Sequence, residues 1–548
     1  MRGSRGGSEW KTIEQPHRIE RVLRALASEG AVGRLVHEPL AHATLLPIDE
    51  PGVLRFSYEG PPLASADVEL ASTHALYRVT LGPSDGSGTL RSEFPATLLR
   101  RSARRERRVQ APGGVFFCFH DQEGFLQRRP VSDVSTRGLG FRPLPRDLDA
   151  APGTLDDAWI DWMGLQRIAL AFDVRAAHEL PGTGELVLGG RVTAATPIDG
   201  ARWEALVEAQ MYARTVKSGD HAEDLWSLYA ESGYFRLSGK QPEDFGAQQE
   251  AFRTAQPRLA AAPELGIQIL WPSSRGVEAA VTGAVPYEGA AFLYQLARRP
   301  GQPPEGTAKQ LLREGYMRAL EWVQLRDDVR WLIIWVQDAG GRISKELHLD
   351  FGLRHADDVT ACVRQLHVLE MSTSRPPPDS LDVVVREAGP SDAVDIARRA
   401  ADLLPQAYLD AHMLDAVRLA SSEFPRWDEA GLARDRRVFV AERDGRIVAA
   451  ATVTMAEEGV HVYRLFNLVE VIPFGDYDAE AVEHLLVEAA TWLRSLGVPA
   501  FVYACDAAIP AERWPADSRD LGLTHCTVIS KVLLPELIED VWLVTAGD

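Results

Sequence analysis

Residues 372–380 read Ser-Thr-Ser-Arg-Pro-Pro-Pro-Asp-Ser, and the three consecutive prolines constrain this chain more than any other stretch of its length. Proline lacks an N–H and clashes with the helical turn before it, so neither a helix nor an interior strand can run through such a segment. We therefore read 372–380 as a linker between a block at 222–371 and a block at 381–548. A chain of 548 residues has room for about three or four domains, and 45% hydrophobic residues supply several cores. No run of about 18 apolar residues occurs, and residues 1–8 lack an apolar stretch, so neither a membrane span nor a secretory signal is expected. Residues 1–10 read as a disordered tail. Cys118, Cys362, Cys505 and Cys526 are scattered without C-x-x-C spacing, which fits reduced, buried thiols in the cytoplasm rather than a disulfide frame or a zinc site. No metal is expected.

The net charge is -19, yet residues 100–108 hold six arginines: Arg100, Arg101, Arg104, Arg105, Arg107 and Arg108. A guanidinium grips phosphate through two parallel hydrogen bonds and stacks on a purine, so the patch should attract a compact anion. Alone, an arginine run also serves as a solvated basic face or a nucleic-acid patch; the acidic balance argues against nucleic acid as the main partner. About 25 residues downstream, Asp133, Ser135 and Gly138 form D-x-S-x-x-G, following 125–131 and preceding the apolar Leu139 and Phe141. The segment reads as a strand, a polar corner and a second strand. A carboxylate and a hydroxyl there can accept from the N–H edge of a guanine, while a glycine lets the backbone turn close to a ligand; an Asx-type turn is the alternative.

In this order and spacing the two motifs resemble the PilZ family, whose hallmark is R-x-x-x-R followed downstream by D/N-x-S-x-x-G. The match falls on Arg104 and Arg108 and on Asp133, Ser135 and Gly138. The resemblance implies a six-stranded barrel at 98–217 that binds bis-(3′-5′)-cyclic dimeric GMP (cyclic di-GMP). Arg104 and Arg108 would hold guanine and phosphate, with Arg100, Arg101 and Arg105 as auxiliaries. Downstream, 166–174 and 185–192 read as strands and 200–212 as a closing helix. Upstream, 19–30 reads as an amphipathic helix followed by strands at 43–46, 53–58 and 77–81. A β-rich module at 11–97 before such a barrel resembles the flagellar-brake type of receptor.

The block at 381–548 reads as strand, two helices (391–404 and 407–420), paired strands across Asp444-Gly445, a strand at 464–472, a long helix at 479–496, a strand at 500–505, a short helix near 516–521 and a strand from 526. This α+β order resembles the GNAT acyltransferase fold, which implies a pyrophosphate cradle at Q/R-x-x-G-x-G/A. The matching loop, 473–480, offers one glycine and the carboxylates of Asp476, Asp478 and Glu480, which would repel a pyrophosphate. We read it as a GNAT-like scaffold that has lost the cofactor. The block at 222–371 shows a weaker version of the same order. Its loop carries Arg298, Arg299, Gly301, Gly306 and Thr307 ahead of a helix at 309–324, a set suited to the phosphates of acyl-CoA, although Pro303 departs from the pattern. A ligand-free connection is the other reading of that loop. Tyr287, Glu288, Tyr294 and His348 are candidates for acid–base work, with no one residue singled out.

The expected architecture is thus multidomain: a β-rich module, a PilZ barrel and two α+β GNAT-like domains. Two functions remain open. In one, a cyclic di-GMP sensor regulates an N-acyltransferase acting on an amine. In the other, the C-terminal half is a non-catalytic adaptor that binds a protein partner or a small ligand.

Overall fold

The computed structural model describes residues 10–545 apart from 37–41, 51, 59–64, 73–74, 82–87, 103–106, 122, 145–153, 180–185, 219–220, 237–238, 305, 339–340, 342–343, 378–381 and 422. It divides into two compact units, one built on residues up to Ala213 and the other on Arg214–Val544.

The first unit opens with an antiparallel sheet of β1 (Lys11–Ile13), β2 (Val32–Leu35), β3 (His42–Leu45), β4 (Val53–Tyr58), β5 (Ala66–Ala71), β6 (Ala75–Leu81), β7 (Thr89–Glu93) and β8 (Leu98–Ser102). Their order is β1-β8-β6-β5-β2-β3-β4-β7. Alternate residues such as Leu54, Phe56 and Tyr58 are buried, as a half-solvated sheet requires. The helix Pro16–Ser28 starts on a proline, whose missing N–H costs nothing there, and buries Ile19, Val22, Leu23 and Leu26. Trp10, grouped with the tail in the sequence, lies between the guanidinium groups of Arg78 and Arg101 at 4.5 and 4.8 Å from its ring centre.

After β9 (Val109–Gln110) comes a closed barrel of β10 (Val115–His120), β11 (Leu126–Ser135), β12 (Gly138–Phe141), β13 (Thr154–Trp162), β14 (Gln166–Glu179) and β15 (Leu186–Ala194). The strands run β10-β13-β14-β15-β12-β11, and β11 pairs back onto β10. Phe117, Phe119, Phe141 and Phe172 fill it, with Phe117 between 4.9 and 5.3 Å from the other three ring centres. The helix Pro197–Met211 adds Trp203, Leu206 and Val207 to that core, and its N-cap Thr196 accepts from Asp199 N.

The second unit holds one twelve-stranded sheet. Its strands are β16 (Val216–Lys217), β17 (Gly266–Ser273), β18 (Gly276–Tyr287), β19 (Ala290–Arg298), β20 (Trp331–Gln337), β21 (Ala361–Ser372), β22 (Val384–Glu387), β23 (Arg434–Arg443), β24 (Arg446–Ala456), β25 (Leu468–Pro473), β26 (Ala500–Asp506) and β27 (Arg519–Ser530). The order β16-β17-β18-β19-β20-β27-β21-β26-β25-β24-β23-β22 is two similar halves back to back. Each half has one parallel pair, β19–β20 and β25–β26. The halves exchange their last strands: β21 pairs with β26, and β27 pairs with β20 and with β21.

The exchange changes how the proline segment is used. Thr373 is buried and donates to Val498 O at 2.8 Å, and the buried Arg375 side chain pairs with Asp517 and Glu483. The expected linker therefore starts inside the packing of the second half; residues 378–380 lie outside the described part. Three sequence expectations change as well. The helix expected near 516–521 is not formed: 516–517 make a turn, and β27 begins at Arg519, where Arg519 and Asp520 pair with Glu370 and Leu369 of β21. A helix, Leu534–Thr545, lies beyond the 526–534 strand with which the expected elements ended. The helix expected at 407–420 is broken into Gln406–Ala411 and Ala416–Leu419, because Asp415 caps the second piece by accepting from Val417 N and Arg418 N. Among the described residues no helix is long and apolar enough to cross a membrane.

Candidate functional site

Two places concentrate the residues singled out above. The first is one end of the barrel. Strand β9 lies along the end of β11, with Val109 opposite Val134 and Gln110 opposite Asp133. That register carries the residue just before β9 over the motif. Arg108 forms an ion pair with the Asp133 carboxylate, both half-buried. Ser135 is buried and its hydroxyl donates to Gly138 O at 3.3 Å across the two-residue turn. The turn is fixed from behind: Trp203 Nε1 donates to Thr136 O at 3.0 Å, and Val192 N donates to Arg137 O at 2.9 Å.

Gly138 is required by space rather than by φ. A Cβ there would stand 2.7 Å from Gly190 O and 3.6 Å from an Arg108 guanidinium nitrogen. A Cβ at Gly140, two residues on and thus on the same strand face, would stand 2.5 Å from an Asp133 carboxylate oxygen. Gly140 is a site residue the sequence reading missed; its signal is the G-x-G repeat at 138–140. Arg107 stacks over Tyr212 at 5.9 Å. Asp133, Ser135, Gly138 and Arg108 are thus brought together, and Arg104 and Arg105 lie outside the described residues. Arg100 and Arg101 belong to β8 of the N-terminal sheet: Arg100 is buried, and Arg101 stacks on Trp10. The assembled set offers a guanidinium for phosphate beside a carboxylate able to accept two N–H groups, at a point where glycines keep the backbone open.

The second place is the parting of β19 and β20. The two are hydrogen-bonded from Ala290 opposite Trp331 to Leu293 opposite Ile334 and not beyond. There Gln295 takes a positive φ of 54° at an irregularity in the pairing with β18. A cavity of about 770 Å³ opens at this point. It touches both hydrophobic layers of the sheet, through Phe292 and Tyr463 on one and Leu293 and Tyr316 on the other. Tyr294 stacks between Phe292 and His461, at 5.4 and 4.8 Å. Burial pushes its hydroxyl well above the usual tyrosine range and holds His461 down to about 3. On the other layer the Tyr316 hydroxyl and His348 Nε2 are 2.7 Å apart, and burial holds His348 down to about 3.

The loop expected to receive phosphate turns its groups inward. Arg298 donates to Arg299 O at 2.9 Å and to Gly301 O at 2.7 Å, and Arg299 pairs with Glu231. Gly301 and Gly306 have positive φ, 84° and 74°. Thr307 caps the helix Ala308–Leu325 by accepting from Gln310 N, and Gln310 Oε1 accepts from Thr307 N in return. In the other half, Asp478 caps Ala479–Ser495 by accepting from Ala481 N, while Arg443 pairs with Asp478 and with Glu480, the latter at 2.6 Å. Tyr294 and His348 reach the cavity; Tyr287 is buried with Arg434 over its ring at 5.2 Å, and Glu288 lies 3.6 Å from Arg418.

No protein-family model matches the chain, and no curated protein matches it. Among solved structures, the Klebsiella MrkH complex with c-di-GMP is similar over 37% of this chain and 96% of its own, at 11% identity and a TM-score of 0.33. YcgR from Escherichia coli in complex with c-di-GMP is similar over 36% of this chain and 91% of its own, at 16% identity and a TM-score of 0.30. A tandem GNAT protein from the clavulanic acid biosynthesis pathway is similar over 58% of this chain and 98% of its own, at 14% identity and a TM-score of 0.31.

Proposed function

We propose that the first unit is a cyclic di-GMP receptor of PilZ type whose ligand state regulates the second unit. The observation that carries this reading is the meeting of Arg108 with Asp133, Ser135 and Gly138 at one end of a closed barrel. Binding exchanges partners: Asp133 turns from the guanidinium to a guanine edge, and Arg108, with Arg104 beside it in sequence, takes phosphate. Residues 103–108 join β8 to β9, so a ligand held by Arg104 and Arg108 couples the N-terminal sheet to the barrel.

For the second unit the same reading has two forms, a gated N-acyltransferase using acyl-CoA or a non-catalytic adaptor. The helix starts favour the adaptor, because the Thr307 side chain already accepts from Gln310 N and the Asp478 side chain from Ala481 N, N–H groups of the kind a pyrophosphate would use. Calorimetric titration of cyclic di-GMP into the full chain, with and without acetyl-CoA, tests both. Micromolar or tighter binding is expected, weakened roughly 10- to 100-fold in Arg108→Ala and in Arg104→Ala by the loss of charge-assisted bonds. Equal binding by all three proteins defeats the receptor reading, and heat from acetyl-CoA restores the enzyme.

A further inference from the structure

We propose that Arg191 is a further arginine of the cyclic di-GMP site, gripping a ligand phosphate from the side of Gly138 opposite Arg108. The inference rests on the receptor reading above and adds to it a residue on β15 that neither sequence motif contains.

The register of the barrel places Arg191. Leu139 and Phe141 of β12 and Leu188 and Val192 of β15 belong to the core, so Gly138, Gly140, Gly189 and Arg191, which alternate with them, face outward. Ser135 pairs with Gly138 and Gly138 with Arg191, which sets the three in one row across β11, β12 and β15. In the neighbouring row Asp133 pairs with Gly140 and Gly140 with Gly189. From Asp133 and Ser135 across to Arg191, the outer face of these two rows thus carries only glycines. A guanidinium nitrogen of Arg108 reaches over this bare strand, 3.6 Å from where a Cβ of Gly138 would stand. Directly opposed residues hold their Cβ atoms about 4.5–5.5 Å apart, so the same nitrogen lies within about 9 Å of the Arg191 Cβ. An arginine side chain and one phosphate span that distance, and a phosphate laid on Gly138 can meet both guanidinium groups.

Charge argues in the same direction. Arg191 is exposed, and among the described residues it enters no ion pair. Asp173 stands directly opposite it on β14, but that carboxylate pairs with Arg175 at 2.5 Å. Arg108, in contrast, is held by Asp133. A phosphate on Arg191 therefore displaces only water, whereas one on Arg108 must also displace a carboxylate. The planar fork of a guanidinium suits this contact, because it can donate two parallel hydrogen bonds to one phosphate.

Calorimetric titration of cyclic di-GMP into the full chain tests the assignment, with wild type, Arg108→Ala, Arg191→Gln, Arg191→Lys and Arg167→Gln side by side. Arg191→Gln should weaken binding about tenfold by the loss of one charge-assisted contact, and Arg191→Lys, which keeps the charge without the fork, should fall between it and the wild type. Raising the salt from about 0.05 to about 0.5 M should weaken the wild type more than Arg191→Gln, which a merely structural role would not produce. Arg167→Gln removes the same charge about 20 Å along β14 from Asp173, where the guanidinium lies over Trp159 at 4.0 Å, and should change the affinity less than about twofold. Arg191→Gln that binds like the wild type, an equal loss in Arg167→Gln, the same salt dependence in wild type and Arg191→Gln, or a loss that Arg191→Lys does not partly restore overturns the proposal. If Arg108→Ala is weakened in that case, the receptor reading stands without Arg191. Absence of binding by every protein, wild type included, overturns both.

Discussion

Arg108 and Asp133 satisfy each other across the barrel end, and the ion pair is tolerable there because both side chains stay in reach of solvent. On the proposed reading cyclic di-GMP replaces that pair, which would tie its binding to the space the neighbouring glycines leave. Gly140→Ala would drive a methyl to 2.5 Å from the Asp133 carboxylate, and Gly138→Ala would meet Gly190 O at 2.7 Å. Overpacking of this kind costs about 1–3 kcal/mol. The expected result is a lower melting temperature for both variants, with Gly140→Ala also weakening cyclic di-GMP in calorimetry because it moves the carboxylate. A Gly140→Ala protein that binds like wild type would show that Asp133 is not a contact. At this scale the sequence displayed the reactive groups but not their support. Asp133, Ser135 and Gly138 stand out by spacing, whereas Gly140 and the Trp203 hydrogen bond to Thr136 depend on which strands become neighbours. The placement of Arg100 and Arg101 was hidden for the same reason, since a run of arginines does not reveal where one sheet ends and the next strand begins.

Among the elements, the helix starts of the two halves of the second unit bear on what those halves can bind. Thr307 with Gln310 forms a reciprocal cap, and Asp478 serves its helix while leaning on Arg443. Thr307→Ala and Asp478→Ala should each cost about 1 kcal/mol of stability, read as a shift of the denaturation midpoint. Removal of Asp478 should also leave Arg443 and open N–H groups facing one another, so sulfate is expected to stabilise Asp478→Ala more than wild type. A midpoint indifferent to sulfate would show that the cap does not occupy an anion position. Strand and helix periodicity made most elements legible, including β4, β19, β20 and the helix Ala479–Ser495. What failed were segments whose identity is settled by partners: β27 is a strand because β20 and β21 flank it, and the break at Asp415 comes from one side chain that competes for backbone N–H groups.

For the second unit as a whole, the exchanged strands make two halves into one sheet. Its two halves should therefore unfold in a single calorimetric transition, and ending the chain before β27 should destroy both; a surviving native half would contradict the exchange. Buried histidines add an acid sensitivity. His348 and His461 are held to about 3 and His412 to about 4, below the ordinary histidine value. The unfolded chain therefore takes up protons that the folded one refuses, and stability present above about pH 6.5 is lost as pH falls toward 3. At pH 5 each contributes up to about 2 kcal/mol of loss. His461→Phe, which keeps the stack on Tyr294, should flatten the change in melting temperature between pH 7.5 and 5. The overall plan of barrel followed by two α+β blocks was legible from motif order and periodicity, but the proline segment suggested a clean division that the exchange abolishes. That exchange also reaches into biosynthesis. Trp331 pairs with Ser530, so a ribosome that has delivered β16 to β20 holds a sheet with an open edge until nearly 200 further residues have emerged. The first half is thus the earlier one to be made and among the last to be completed, and the nascent chain depends on whatever shields the edge of β20 in the interval.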